Sequence, residues 1–172
     1  AFEESILTTL RKLGMADAIF KVDIAPTPQF TALGEDSVAY LFTANRTSKP
    51  APIERVASGG ELSRVMLALK GILARSKRLP SIIFDEIDTG VSGQIADAMG
   101  EIIAEMSQSM QVIDITHLPQ VASKSGDHFV VYKSESVTNI RKLSKAERID
   151  EIAKMLSGST ITDAARKQAK IL

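Results

Sequence analysis

Residues 81–86 read Ser-Ile-Ile-Phe-Asp-Glu, a short apolar run that follows Pro80 and ends in two acids. Pro80 forces an extended entry, and an apolar run of this length is typical of a buried strand in a parallel sheet. Asp85 and Glu86 would stand at the carboxyl end of that strand, where open α/β sheets bind ligands. In a nucleotide hydrolase the first acid holds Mg²⁺, usually through water, and the second deprotonates the attacking water. A strand that simply ends in a charged turn is the alternative.

The segments on either side alternate between helical and extended patterns. Helices are predicted at Glu61 to Lys77 and Ser92 to Met106, and a second apolar strand at Gln111 to Thr116. Helix, strand, helix and strand in this order predict a parallel α/β core. The other predicted elements are a helix (Phe2 to Leu13), a strand ended by Pro26 and Pro28 (Ala18 to Ala25), a strand (Ser37 to Ala44), a loop (Asn45 to Pro52), two strands (Asp127 to Tyr132, Val137 to Leu143) and two helices (Ser144 to Leu156, Thr160 to Leu172).

The composition is that of a folded domain with a mostly aliphatic core. Of 172 residues, 44% are hydrophobic, 24% are charged and 5% are aromatic. The 21 basic and 21 acidic side chains give a formal net charge of zero, so no overall charge favours nucleic acid. The absence of cysteine excludes disulfides and thiolate metal sites, and no apolar run is long enough to span a bilayer. The start at Ala1, without an initiator Met, predicts either a piece of a longer chain or a processed product.

A second candidate site is the start of the helix before this strand, Ser58-Gly59-Gly60-Glu61. Glycines at a helix start expose backbone N–H groups at the positive end of the helix dipole, and they let a phosphate approach closely. The alternative is an ordinary helix start, with Ser58 as the N-cap and glycines for the turn.

A third candidate is His117, which lies just past the apolar strand Gln111 to Thr116. A neutral imidazole can bond a terminal phosphate oxygen and so report its presence. A structural histidine is the alternative. The order of the three features matters more than any one of them, because all three would lie along one edge of one sheet.

In this order the stretches resemble the motifs of one family, the ATP-binding-cassette ATPases. SGGELSR (58–64) resembles their signature motif, and IIFDE (82–86) resembles their Walker B strand. IDTGVSG (87–93) is similar to their D-loop, and ITHLPQ (115–120) to their switch-histidine loop. The sequences that flank these motifs, such as FTANR and RIDEIAKMLSG, most resemble those of the SMC-like branch that acts in bacterial DNA repair.

The resemblance implies roles for particular residues. Asp85 would organise Mg²⁺ through its water shell, Glu86 would be the catalytic base, and His117 would contact the γ-phosphate of ATP. In a homodimer of heads, Asp88 would lie at the interface. Four residues would meet the ATP held by the second head: Ser58, Gly59, Gly60 and Glu61.

The chain departs from the family in one respect. The P-loop pattern G-x-x-x-x-G-K-[ST] is missing, since none of the ten glycines is followed by lysine. The resemblance therefore implies that residues 1–172 are the C-terminal part of an ATPase head, a mainly parallel sheet flanked by helices. Residues 1–14 would be the end of a long coiled coil or the first helix of the head. The implied partners are the chain's own P-loop half, a second head and DNA, and the implied location is the cytoplasm, at the nucleoid.

Without the P-loop half, the chain is expected to hydrolyse little ATP and to expose an apolar face that drives self-association. The expected result is either a dimer in solution or poor solubility. Two other interpretations stay open. One is a non-enzymatic module that dimerises, or that contacts DNA or repair partners through a basic patch. The other is a metal-dependent hydrolase that uses Asp85, Glu86 and Asp88. The basic patch would consist of Arg141, Lys142, Lys145 and Arg148.

Overall fold

The computed structural model describes residues 1–32, 34–158 and 160–172. In chain order the helices and strands are α1 (Phe2–Lys12), β1 (Ile19–Thr31), β2 (Gly34–Thr43), β3 (Ala51–Pro52), α2 (Ile53–Val56), α3 (Gly59–Lys77), β4 (Ser81–Asp85), α4 (Gly93–Ser107), β5 (Gln111–Ile115), α5 (Pro119–Ala122), β6 (Phe129–Ser134), β7 (Val137–Lys142), α6 (Lys145–Ser157) and α7 (Asp163–Ala169). They form two compact units, one made of Ala1–Ile82 and Ile87–Val91, the other of Ile83–Glu86 and Ser92–Leu172. The predicted order of helix, strand, helix and strand from α3 to β5 is confirmed.

The first unit is built around a three-stranded antiparallel sheet of order β1-β2-β3. Phe20 on β1 pairs with Phe42 on β2, and both rings are buried. Ile6 and Leu10 lie four residues apart on α1, so both project from one face of that helix into the core, where Val65 of α3 joins them. The apolar spacing that predicts the two helices is therefore also what fills this core.

Strand β1 runs past the two prolines that the sequence analysis expects to end it. Pro26 pairs with Asp36 of β2, and the register shifts before Thr31 pairs with Gly34. The predicted end at Ala25 is therefore wrong. Within the described residues β1 pairs only with β2, and such an edge strand tolerates a residue that has no N–H to donate. The predicted loop before α2 also contains the short strand β3.

β4 and β5 are neighbouring strands of a parallel sheet, and α4 connects them. β5 and the part of β4 from Ile83 onward belong to the second unit. Phe84 on β4 is fully buried, and so is Met99 on α4. Burial alternates along both strands, and the other face leaves Ile83, Ile113 and Ile115 exposed to 59%, 45% and 52%. The strand predicted to be buried is thus covered on one face only. Because parallel sheets are normally covered on both faces, this sheet has the uncovered apolar face that the sequence analysis expects.

A hairpin follows these two strands. β6 and β7 pair antiparallel through a tight turn at Glu135 and Ser136, and both residues have positive φ. Turns with two positive φ angles match the right-handed twist of the flanking strands. The two predicted strands of this region are therefore confirmed as one hairpin.

The chain ends in two packed helices, α6 and α7. A capping box begins α6, as predicted: the N–H of Ser144 donates to Oε2 of Glu147 (2.8 Å), and the N–H of Glu147 donates to Oγ of Ser144 (3.4 Å). The start predicted for the last helix at Thr160 is wrong, because Oγ1 of Thr162 accepts from the N–H of Ala165 and caps the helix there. No helix in the described ranges is both long and apolar enough to cross a membrane.

Candidate functional site

The glycine-rich start of α3 is fixed by its own cap. Ser58 is the N-cap, and its N–H donates to Oε2 of Glu61 at 2.8 Å. The carbonyl of Ser58 accepts from the N–H of Leu62 at 2.8 Å, which begins the helical ladder. The structure thus gives Glu61 a capping role, while its predicted contact with ATP stays a prediction. Both the anion site and the ordinary helix start expected for this stretch are compatible with this geometry.

Gly60 lies against Gly90 of the 87–91 segment in the same unit. A Cβ built on Gly60 would lie 2.8 Å from the carbonyl oxygen of Gly90 and 3.3 Å from its carbonyl carbon. Gly90 itself has φ +79, a conformation that favours glycine. A Cβ on Gly59 would meet nothing within 4 Å. The two glycines of the predicted signature motif therefore differ, since only Gly60 is required for packing.

Arg64 is a residue that the sequence analysis did not single out. Its Nε donates to the carbonyl of Gly60 at 2.9 Å, and its Nη1 donates to the carbonyl of Leu13 at 3.1 Å. One guanidinium thus joins the first turn of α3 to the residue that follows α1. No local sequence pattern predicts this role, because the hydrogen bond from Arg64 to Leu13 joins residues 51 positions apart.

The side chain of Asp88 is almost completely buried, at 1% exposure. Its carbonyl accepts from the N–H of Val91 at 3.3 Å, which closes a turn, and the tip residues Thr89 and Gly90 are exposed. A second subunit could therefore touch the tip of this turn but not the carboxylate of Asp88 in this arrangement. The predicted interface role of Asp88 stays a prediction, and the exposed tip is the part of the segment that suits it.

β4 ends at Asp85 and Glu86 follows it, so both acids lie at the carboxyl end of the strand as predicted, and both are exposed. The N–H of Glu86 donates to the carbonyl of Ile115, the last residue of β5, at 3.0 Å. Glu86 has φ 49, a positive value that is rare for a residue with a side chain. Strained backbone of this kind clusters at functional sites. The hydrogen bond sets the carboxyl ends of β4 and β5 side by side in the second unit.

His117 follows the end of β5 by two residues and is exposed. Oγ1 of Thr116 accepts from the N–H of Leu118 at 2.9 Å, which turns the chain from β5 into α5. α5 packs closely on α4, since a Cβ on Gly100 would lie 3.1 Å from the carbonyl of Gln120. These contacts fix both sides of the His117 turn. The structure therefore brings Asp85, Glu86 and His117 to one end of one sheet.

The carboxylates at this end suit Mg²⁺ but not a metal held by protein alone. Across the described residues there is no group of three or more His, Asp or Glu side chains that could hold a metal ion. A cage built from Asp85, Glu86 and Asp88 therefore has no support. Mg²⁺ keeps several waters and is often held by one or two carboxylates, and the exposed carboxylate of Asp85 at a strand end fits that requirement.

The basic residues 141–148 do not form a continuous positive surface. Arg141 contacts Glu147 at 2.6 Å, and Lys142 contacts Asp127 at 2.8 Å. Half of the predicted patch is thus paired with acids. Its other two members, Lys145 and Arg148, line a cavity of the second unit.

Solved structures of similar fold are head domains of SMC proteins. The Smc head domain of Pyrococcus yayanosii has a TM-score of 0.73 at 19% identity, over 91% of this chain and 29% of that one. A second solved chain, described as "Structural biochemistry of ATP-driven dimerization and DNA stimulated activation of SMC ATPases", has a TM-score of 0.65 at 19% identity and matches 93% of both chains. The fold is thus that of part of an SMC-type ATPase head.

The sequence is 47% identical over 174 residues to the DNA repair protein RecN of Rickettsia conorii, a match that covers 99% of this chain and 32% of that protein. The chain belongs to the RecN family and corresponds to a C-terminal segment of its members. It spans about a third of the length of the curated relatives it matches. No protein-family model matches it.

Proposed function

We propose that this chain is the C-terminal lobe of an SMC-like ATPase that acts in the repair of DNA double-strand breaks and in recombination. The hydrogen bond from Glu86 to Ile115 carries the proposal, because it sets two strand ends together and with them Asp85, Glu86 and His117. Relatives named DNA repair protein RecN support the biological role.

The proposed reaction transfers the γ-phosphoryl group of ATP to water, a step that depends on positioning and electrostatic stabilisation. When bound, Mg²⁺ would neutralise part of the negative charge of the ATP phosphates. Asp85 would hold that ion through its water shell, and Glu86 accepts the proton of the attacking water. His117 bonds a γ-phosphate oxygen. All three side chains are exposed at the sheet end, so a nucleotide can reach them.

The start of α3 serves a second ATP, held by another head. The free N–H groups of a helix start and its positive dipole end favour phosphate, and the open space beside Gly59 leaves room for a phosphate to approach. Ser58 and Gly60 take part in the same contact. Glu61 orders this turn through its hydrogen bond to the N–H of Ser58. The exposed tip of the Asp88 turn lies at the contact between the two heads.

The uncovered face of the β4–β5 sheet is the place for the missing half of the head. Ile83, Ile113 and Ile115 present aliphatic surface there, and burying such surface contributes about 25 cal/mol per Å². The P-loop half of the parent protein covers this face and supplies the lysine that this chain lacks. DNA binding and a cytoplasmic location at the nucleoid belong to the full-length protein.

ATP hydrolysis by this chain, alone and mixed with the separately expressed P-loop half, tests the proposal. Activity is expected only in the mixture, because the P-loop and Glu86 come from different halves. Light scattering on the same samples reports whether the two halves associate. A mixture that associates and stays inactive would contradict the catalytic assignment.

A non-enzymatic dimerisation module is the second candidate, and the exposed isoleucine face favours it. A DNA-binding module is less favoured, since Arg141 and Lys142 are paired with acids. DNA binding by this chain without nucleotide, weakening steeply with salt, would restore that alternative.

A further inference from the structure

A cavity in the second unit is not used by the proposed ATPase reaction. It lies between α5, α6 and α7 and has a volume of about 310 Å³. Its walls include aliphatic side chains, and three cations are placed around it. The aliphatic residues are Ile149, Ile152, Ala169 and Leu172, and the cations are Lys145, Arg148 and Lys170.

Among the described residues, none of the three cavity cations forms an ion pair with an acid of α6. Nη2 of Arg148 donates to the carbonyl of Ser123, which fixes the guanidinium at the cavity. Burial lowers the pKa of His128, the charge of Arg148 lowers it further, and the charge of Glu151 raises it in part. The acids on α6 pair with cations that do not line the cavity: Glu147 with Arg141, Asp150 with Arg166, and Glu151 with Lys154.

We propose that this cavity binds an acidic segment of a partner protein, which inserts an apolar side chain between the isoleucines and places its carboxylates on the three cations. Charge complementarity favours an acidic segment in this cavity, because carboxylates pair well with arginine and lysine. The volume lies at the low end of the range for ligand cavities, so it fits one or two side chains.

The same observations disfavour a nucleic acid as the occupant. A duplex presents a long row of phosphates and needs cations spread along a surface. Here the adjacent cations Arg141 and Lys142 are paired with acids. Aliphatic walls such as Ile149 add nothing to a phosphate contact, whereas they bury an apolar side chain favourably.

A binding titration with a fluorescein-labelled hexapeptide, Glu-Glu-Asp-Glu-Leu-Phe, tests this on the whole 172-residue chain. Reversing two cavity cations, Lys145→Glu with Lys170→Glu, is expected to weaken binding by about tenfold or more. The matched control Lys133→Glu with Lys167→Glu makes the same change in net charge at exposed positions outside the cavity, and it is expected to change affinity by less than about twofold.

A second peptide, with Leu-Phe replaced by Ser-Ser, is expected to bind much more weakly, since it leaves the aliphatic walls empty. Circular dichroism melts check that each variant stays folded, and Lys145→Gln with Lys170→Gln replaces the reversal if it does not. The proposal is overturned if the first peptide does not bind or binds both double variants equally. It is also overturned if the Ser-Ser peptide binds as well, or if a labelled DNA duplex binds and loses affinity in the cavity variant instead.

Discussion

Gly60 and Gly90 touch backbone to backbone: a Cβ on Gly60 would lie 2.8 Å from the carbonyl oxygen of Gly90. No side chain fits in that distance without a backbone shift. The start of α3 and the 87–91 turn are therefore seated on each other within the first unit. A glycine at position 60 is needed for this contact whether or not a nucleotide ever binds there.

Alanine substitutions at the neighbouring residues Gly59 and Gly60 test which of the two glycines the packing requires. Gly60→Ala is expected to lower the free energy of unfolding by about 1–3 kcal/mol, because the methyl group overlaps Gly90. Gly59→Ala meets nothing within 4 Å, so its effect should stay within about 0.5 kcal/mol. Urea unfolding of both variants makes the comparison. Equal losses would show that the contact with Gly90 is not what requires glycine.

Arg64 offers a test of how α1 is joined to α3. Arg64→Ala removes two hydrogen bonds, to Gly60 and Leu13, and each hydrogen bond from a charged donor contributes about 1.5 kcal/mol or more. We expect a clear loss of thermal stability and a smaller one for Arg64→Lys. Arg55→Ala, at an exposed position of α2, is the control. A stability unchanged from wild type in Arg64→Ala would mean that water replaces both contacts without cost.

The cap of α6 gives the stability a defined dependence on pH. Hydrogen bonds from the hydroxyl and then the N–H of Ser144, together with Arg141, lower the pKa of Glu147 from 4.5 to about 2. A carboxyl whose pKa is lower in the folded state stabilises the fold above its unfolded pKa, and this stabilisation is lost as the pH falls from about 4.5 towards 2.

Melting temperatures from pH 7 to pH 2 measure that loss. Glu147→Gln is expected to start from a lower stability at pH 7 and to lose less than wild type on acidification, since glutamine does not titrate. Glu101→Gln changes an exposed carboxyl on α4 and is the control. Its melting temperature should fall with pH by as much as that of the wild type. Parallel curves for wild type and Glu147→Gln would contradict the role of this cap.

The uncovered face of the β4–β5 sheet predicts that the isolated chain self-associates. Ile113→Ser with Ile115→Ser removes two of its three exposed isoleucines and is expected to shift the chain towards monomer in sedimentation experiments. Val38→Ser, at an exposed position on β2, is the control. If the double variant and the control associate alike, self-association uses another surface.

The sequence predicts the positions of Asp85, Glu86 and His117 at strand ends better than it predicts where the other strands end, and the roles of these residues stay predictions. Apolar runs ended by Asp85-Glu86 and by His117 are local signals, and the structure sets both at one sheet end. The run of β1 past Pro26 depends on its place at a sheet edge, which no local pattern shows. The contact between Gly60 and Gly90 likewise joins residues thirty positions apart.

We propose that Glu86 is the base of an ATPase that the P-loop half completes, and ATP hydrolysis by the mixed halves tests this proposal most directly. Glu86→Gln keeps the size of the side chain and removes its basicity, so steady-state hydrolysis should fall by about 10²-fold or more. Glu101→Gln should retain the wild-type rate, because Glu101 lies exposed on α4. Full activity in Glu86→Gln, or equal losses of activity in Glu86→Gln and Glu101→Gln, would contradict the role of Glu86 as the catalytic base.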